Sequence, residues 1–215
     1  PEVARDLETM DADCAAFETD YKGKLATGTA NEDGGKWLAE AVRRYEAIDD
    51  LAGRLGSYAG LVHAGDSVDP KISKFYGDVS ERLTAASTHL LFFALELNRV
   101  DDDLLTRAMQ APELAYYRPW IEDLRKEKPY QLDDKLEQLF LEKAQTGYSA
   151  FNRLFDQTIS GLRFKVGPKE LAIEPTLNLL QDRDGQKRKT AAQALAKTFK
   201  DNERTFALIT NTLAK

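Results

Sequence analysis

At 215 residues the chain can bury one large core or two small ones, and 42% hydrophobic with 31% charged residues excludes wholesale disorder. A net charge of -6 and a pI near 5.1 exclude an extended nucleic-acid surface, which needs clustered Lys and Arg. The single cysteine, Cys14, excludes an intrachain disulfide and a thiolate metal cluster, and no apolar run approaches the ~18 residues of a membrane span.

The start, PEVARDLETMDADC, is acidic and is no secretory signal, so a reducing, cytoplasmic location is expected. Val3, Leu7, Met10 and Cys14 recur at helical spacing, and Phe17, Tyr21 and Leu25 extend the stripe. This predicts a helix over 3–25, ended by the Gly and small polar residues of TGTANEDGG at 27–35. A strong helix is predicted over 37–62, where Leu38, Tyr45, Ala52 and Ala59 form one series and Val42, Ile48, Leu55 and Val62 a second. Gly53, Gly56 and Gly60 each cost such a helix on the order of 1 kcal/mol against Ala, so close approach of a neighbouring helix is expected there. A phosphate-cradling loop would need a preceding strand, which this pattern lacks.

HAGDSVDP at 63–70 is the next turn, with Asp69 placed to cap free N–H groups and Pro70 at the first helical position. Ile72, Phe75, Val79, Leu83, Ala86, Leu90, Phe93 and Leu97 then mark one face of a helix to about residue 98, antiparallel to the one before. Asp101, Asp102 and Asp103 open a shorter helix through Met109; carboxylates favour the positive end of a helix dipole, and that reading stands ahead of a metal site. Pro112 starts a further piece that Pro119 kinks or restarts, with Leu114, Tyr117, Ile121 and Leu124 facing inward. Lys128-Pro129 breaks the chain, and Asp133 starts a long helix expected to bury Leu136, Leu139, Phe140, the stem of Lys143, Phe151, Leu154 and Phe155.

Leu162, Phe164 and Val166 alternate with Arg163 and Lys165, Gly167-Pro168 turns, and Leu171 and Ile173 alternate again, which predicts a small hairpin. A short helix over 174–181 follows, and 186–214 reads as one long helix with Ala192, Phe199, Phe206 and Leu213 repeating every seven residues. The basic run Arg183, Lys187, Arg188 and Lys189 reads as its solvated start, ahead of a phosphate patch. With no initiator Met and no capping Gly or Pro after the last stripe, the chain is expected to be cut from something longer. The fold class is therefore mainly α: an antiparallel helical bundle or shell of long helices with one β-hairpin near 162–173. The expected organisation is an N-terminal helix and linker at 1–35, a helical domain at 36–161, the hairpin at 162–173, and helices at 174–215.

Catalytic constellations are missing. The two histidines, His63 and His89, lie 26 positions apart, whereas a zinc site on a helix needs two His at i and i+4. His63 is expected at a helix end near Asp66, and His89 beside the core stripe. Cys14 has no nearby His, no Gly-x-Ser-x-Gly elbow occurs, and the pairs Glu122-Asp123 and Asp133-Asp134 fall on solvent faces or caps. Tyr116, Tyr117, Trp120, Tyr130 and Tyr148 either line a peptide-binding channel or pack as core and rim, and packing is the stronger reading.

Several segments, in order, resemble one family: LGSYAGLVHAGDSVDP (55–70), LFFALELNRV (91–100), LAYYRPWIEDLRKEKPYQLDDKLEQLF (114–140), Phe151 to Phe155, LRFKV (162–166) and LLQDRDGQKRKTAAQAL (179–195). Each is weak alone; their order and spacing resemble the N-terminal region of the oligoendopeptidase F zinc metallopeptidases, related to the thimet-type oligopeptidases, from about Leu38 to Lys215. The resemblance implies a helical shell around a deep channel, with zinc held by a His-Glu-x-x-His helix that this chain lacks. It implies an N-terminal, non-catalytic part that forms one channel wall and limits substrates to short peptides. On that reading the chain holds no catalytic residue and no zinc ligand, its substrate-binding residues are unknown, and zinc belongs to the full-length parent. Its expected partners are short peptides, the absent catalytic domain, and further copies of itself through an exposed apolar patch of several hundred Å2, with no nucleic acid and no membrane. Pro119, where the family's helix is continuous, and Tyr130, where the family often has His, depart from the pattern. The other class of function is a stand-alone helical scaffold or peptide-binding module without catalysis.

Overall fold

The computed structural model describes residues 2–214, which form eleven α-helices, short 3-10 turns and one two-stranded hairpin. None of these helices is long and apolar enough to cross a membrane. The chain divides into two units: Pro1–Val62 with Phe75–Lys143, and His63–Lys74 with Ala144–Lys215.

The first unit is built on α1 (Glu2–Tyr21), α3 (Gly34–Gly65) and α4 (Pro70–Arg99), the last two crossing into the other unit at their shared turn. Their stripes meet at Phe17, fully buried, whose ring lies 5.1 Å from Phe93 and 4.8 Å from Tyr21, while Tyr45 stacks on Phe93 at 5.0 Å. Such aromatic pairs add about 0.5–1.5 kcal/mol each beyond the area they bury.

The first helix ends earlier than its periodicity predicts. It stops at Tyr21, Gly23 turns at φ +75°, and residues 27–30, expected as a breaker, lie within a short helix, α2 (Leu25–Ala30). The cause is remote: the Glu96 carboxylate accepts from the backbone N–H of Gly23 at 2.7 Å and of Leu25 at 3.5 Å. Lys24 Nζ, in turn, donates to the carbonyls of Thr19 and Asp20 at the end of α1. The glycines that follow permit close packing. A Cβ on Gly28 would stand 2.5 Å from the Trp37 ring, and one on Gly35 would stand 2.5 Å from Ala111 Cβ.

A Cβ on Gly56 would stand 3.3 Å from Leu83, as close approach requires, whereas one on Gly53 or Gly60 would meet nothing within 4 Å, against expectation. Asp69 accepts from the N–H of Lys71 at 2.7 Å and of Ile72 at 3.3 Å, so α4 starts where the sequence predicts. Asp101 caps α5 (Asp102–Ala108) through the N–H groups of Asp103 and Leu104. Pro119 lies in the first turn of α6 (Arg118–Lys126), so it restarts a helix instead of kinking one. Leu114 and Ile121 are fully buried, and Tyr117 and Leu124 pack against the same core.

The long helix expected after Asp133 is two: α7 (Asp134–Ala144) and α8 (Tyr148–Gly161), parted at Gly147, and neither holds a fully buried residue. Leu136, Leu139, Phe140, Leu154 and Phe155, predicted buried, are exposed, as is Lys143, and Phe151 is half-buried. Periodicity marks a face as apolar without supplying its neighbour: Phe155 has only the edge of Phe206, 5.7 Å between ring centres, and stays partly open.

In the second unit β1 (Phe164–Val166) pairs with β2 (Lys169–Leu171) antiparallel, Phe164 opposite Leu171, across a turn in which Gly167 takes φ +61°. Phe164 is fully buried against Ala194 and Leu195 of α10 (Gly185–Asp201), which follows α9 (Ile173–Asn178). The last predicted helix is also two, α10 and α11 (Glu203–Leu213). Asn202 leaves helical geometry at φ -108° and ψ 9° while its Nδ2 donates to the Thr198 carbonyl, the local bond by which Asn competes with helix continuation.

Candidate functional site

The turn out of α4 converges on one guanidinium. Arg125 lies four residues after Ile121, on the inward face of α6, and its side chain is only 14% exposed. Its Nη1 donates to the carbonyls of Leu97 at 2.7 Å, Asn98 at 2.9 Å and Val100 at 2.9 Å, at and just past the end of α4, where helical N–H donors run out and Leu97 keeps only a 3.3 Å bond from the Val100 N–H. Its Nη2 donates to Asp102, which also accepts from Lys128 Nζ at 3.1 Å. Burial pulls the Arg125 guanidinium below its ordinary range. Beside it Gln131 Nε2 donates to the Leu95 carbonyl at 3.2 Å, and Arg99 pairs with Asp134 at the start of α7. This junction fixes α4, α5, α6 and α7 to one another. Its charges are mutually paired, which suits a rigid support and leaves no poised base.

The five aromatics separate. Tyr117 donates its hydroxyl to Glu46 at 2.7 Å, a bond that, with burial, raises its phenol above the ordinary range. Trp120 packs 5.8 Å from Tyr45. Tyr116 stands edge-on to Tyr117 with most of its surface open, and Tyr130 and Tyr148 are also exposed, the last in the other unit.

The titratable candidates do not converge. His63 is buried in the last turn of α3, and His89 Nδ1 faces the Glu18 carboxylate. Cys14 is buried, and burial, then Asp11 and Asp13, push its thiol up to about 11, far from an activated nucleophile. Asp133 caps α7 through the Lys135 N–H, and Glu122 and Asp123 pair with Arg118 and Lys126. Asp184 caps α10, Arg188 donates to the carbonyls of Asp182 and Arg183, and Lys187 pairs with Asp182, so the basic run is a helix start. Among the described residues no three His, Cys, Asp or Glu side chains gather where they could hold a metal ion.

Two hollows lie in the first unit, one of about 640 Å3 over Val3, Leu51, Leu55 and Tyr58, the other of about 320 Å3 beside Thr29, Gly35 and Arg107. Neither brings a nucleophile, a base and an oxyanion donor together. Sequence reasoning missed the Arg125 junction. Its one sequence signal is an Arg four residues after a buried Ile on a short helix, and its acceptors are backbone atoms, which no residue pattern displays.

A family model described as Oligopeptidase F matches residues 96–164, a stretch that contains this junction and α7 entire. Oligopeptidase PepF of Bacillus subtilis (strain 168) is 26% identical over 194 residues, 87% of this chain and 28% of that protein. The crystal structure of oligoendopeptidase-F from Enterococcus faecium has the same fold, with a TM-score of 0.83 and 18% identity over 99% of this chain and 42% of that one. The chain thus spans less than a third of the first relative and less than half of the second.

Proposed function

Because the chain corresponds to the N-terminal region of the oligopeptidase F family, we propose that it is the non-catalytic N-terminal part of a zinc-dependent oligoendopeptidase, where it forms one wall of the channel that admits short peptides. The observation that carries this reading is the family match over 96–164, which falls on the Arg125 junction. In that role Arg125, Gln131 and the Arg99–Asp134 pair hold α4, α6 and α7 as a fixed support, and reaction chemistry is left to the remainder of the parent.

The implied zinc does not fit this chain's own residues. His63 is buried in α3, His89 is engaged by Glu18, and no third donor joins either among the described residues. On the proposed reading, zinc and its ligands lie in the rest of the parent. The lone buried thiol of Cys14 fits a cytoplasmic, reducing location.

The test is peptide hydrolysis with added zinc by this 215-residue chain, beside a chain extended to its natural stop codon. Activity confined to the longer chain, and abolished by a chelator, is the expected result. Activity in the short chain overturns the non-catalytic assignment, and inactivity in both turns the reading toward a peptide-binding scaffold.

A further inference from the structure

The helix α7 has eleven residues and none is buried. Leu136, Leu139 and Phe140, at i, i+3 and i+4, share one face and are 46%, 47% and 64% exposed; Leu132, just before the helix, is 44% exposed. A helix this short is marginal in water by itself and depends on packing of its apolar face. The Arg99–Asp134 pair at its start is half-exposed and, like other surface pairs, contributes at most about 1 kcal/mol.

Resting on the reading above, we infer that this face of α7 is an intramolecular docking surface for the part of the full-length polypeptide that lies beyond this chain. Two observations favour that occupant over a second copy. The first is area. The four side chains leave on the order of 400 Å2 of apolar surface, at the lower margin of the roughly 450 Å2 that is the apolar share of the ~800 Å2 each partner contributes to a stable complex. A separate copy must also offset its lost translational and rotational freedom. A covalently attached occupant is held at high effective concentration and needs less area.

The second is length. The chain covers 28% of the Bacillus subtilis relative and 42% of the Enterococcus faecium structure, so relatives of this kind carry a long further stretch of polypeptide. α7 also lies wholly within residues 96–164, the stretch that the family model matches.

Thiol accessibility tests this directly, because Cys14, the one cysteine of these 215 residues, is buried, and labelling of each variant is read against the same chain without the added thiol. F140C and L139C each place a thiol on the face, and A16C, at an exposed position of α1, serves as control. In the 215-residue chain all three thiols label with a maleimide at similar rates, independent of protein concentration. In the chain extended to its stop codon, the F140C and L139C thiols label at least tenfold more slowly than the A16C thiol. Equal labelling in the longer chain overturns the inference. Labelling of the short chain that slows as its concentration rises assigns the face to a second copy and also overturns it. Peptide hydrolysis by the longer chain is scored separately. Protection without activity leaves the docking face standing and sinks the peptidase reading, whereas activity without protection does the reverse. A stop codon directly after Lys215 sinks both.

Discussion

Arg125 Nη1 lies 2.7 Å from the carbonyl oxygen of Leu97 and shares that one nitrogen with the carbonyls of Asn98 and Val100. A single side chain from α6 thereby completes the hydrogen bonding of the last turn of α4. Arg125→Ala removes the charged donor these carbonyls share, at a cost of about 2–3 kcal/mol. Lys, with a point charge in place of a planar fork, recovers less than half of it. Both tryptophans, Trp37 and Trp120, lie in the same unit, so urea unfolding followed by their fluorescence reads the effect. A loss below about 0.5 kcal/mol for Arg125→Ala means the junction is ornamental.

The helical glycines of α3 divide by what stands opposite them. A methyl group on Gly53 or Gly60 meets nothing within 4 Å, so Ala at either site gains about 0.5–1 kcal/mol by reducing the freedom of the unfolded chain. At Gly56 the methyl meets Leu83 at 3.3 Å, and the gain is offset by the shift that Leu83 must make. Gly35→Ala goes the other way, by about 1–3 kcal/mol, since its Cβ would stand 2.6 Å from the Ala108 carbonyl oxygen and 2.5 Å from Ala111. Thermal midpoints of the four variants should fall in that order; a stabilised Gly35→Ala contradicts the packing described.

What the sequence displays depends on how local the cause is. Asp69-Pro70 and the Gly167-Pro168 turn act within a few residues, so the start of α4 and the hairpin were legible. The end of α1 was not, because the N–H groups of Gly23 and Leu25 just beyond it are taken by Glu96, 73 positions beyond Gly23. The apolar face of α7 was legible as apolar but not as uncovered, since period alone cannot name a neighbour. Asn202, placed by the heptad pattern in the middle of a helix, breaks it through its own side-chain amide. In the candidate site, the pairing of acidic residues with caps and cations was readable from spacing. The Arg125 junction was hidden because it runs from side chain to backbone.

Cys14 offers a probe of the core. Its thiol is buried and pushed up to about 11, so at pH 8 the thiolate fraction is some hundredfold below that of a free cysteine, before any steric exclusion. A disulfide-exchange reagent such as 5,5'-dithiobis(2-nitrobenzoic acid) should leave the native protein unmodified over minutes and react within seconds in 8 M urea. Rapid modification of the native chain would place the α1 core in an open state far more often than its packing allows.

Glu18 accepts from Lys22 Nζ at 2.5 Å and faces His89 Nδ1 across the α1–α4 contact. The hydrogen bond to His89, then that to Lys22, hold its carboxyl below the ordinary value of 4.5. A carboxyl whose folded value is depressed binds fewer protons in the folded state than in the unfolded one. Its stabilising contribution is therefore complete above the ordinary carboxylate range and is lost as pH falls below 4.5 through the lowered folded value. Glu18→Gln should be less stable than the parent chain at pH 7 by a few tenths to 1 kcal/mol, the scale of a partly exposed pair. The gap should narrow from pH 7 to pH 3, as the carboxyl takes up its proton and loses the charge that His89 and Lys22 favour. His89→Ala should narrow the gap at pH 7 by removing the larger cause. Urea midpoints at the two pH values decide it: a difference between Glu18→Gln and the parent that is the same at pH 7 and pH 3 shows that steric fit, and not charge, joins α1 to α4 at this contact.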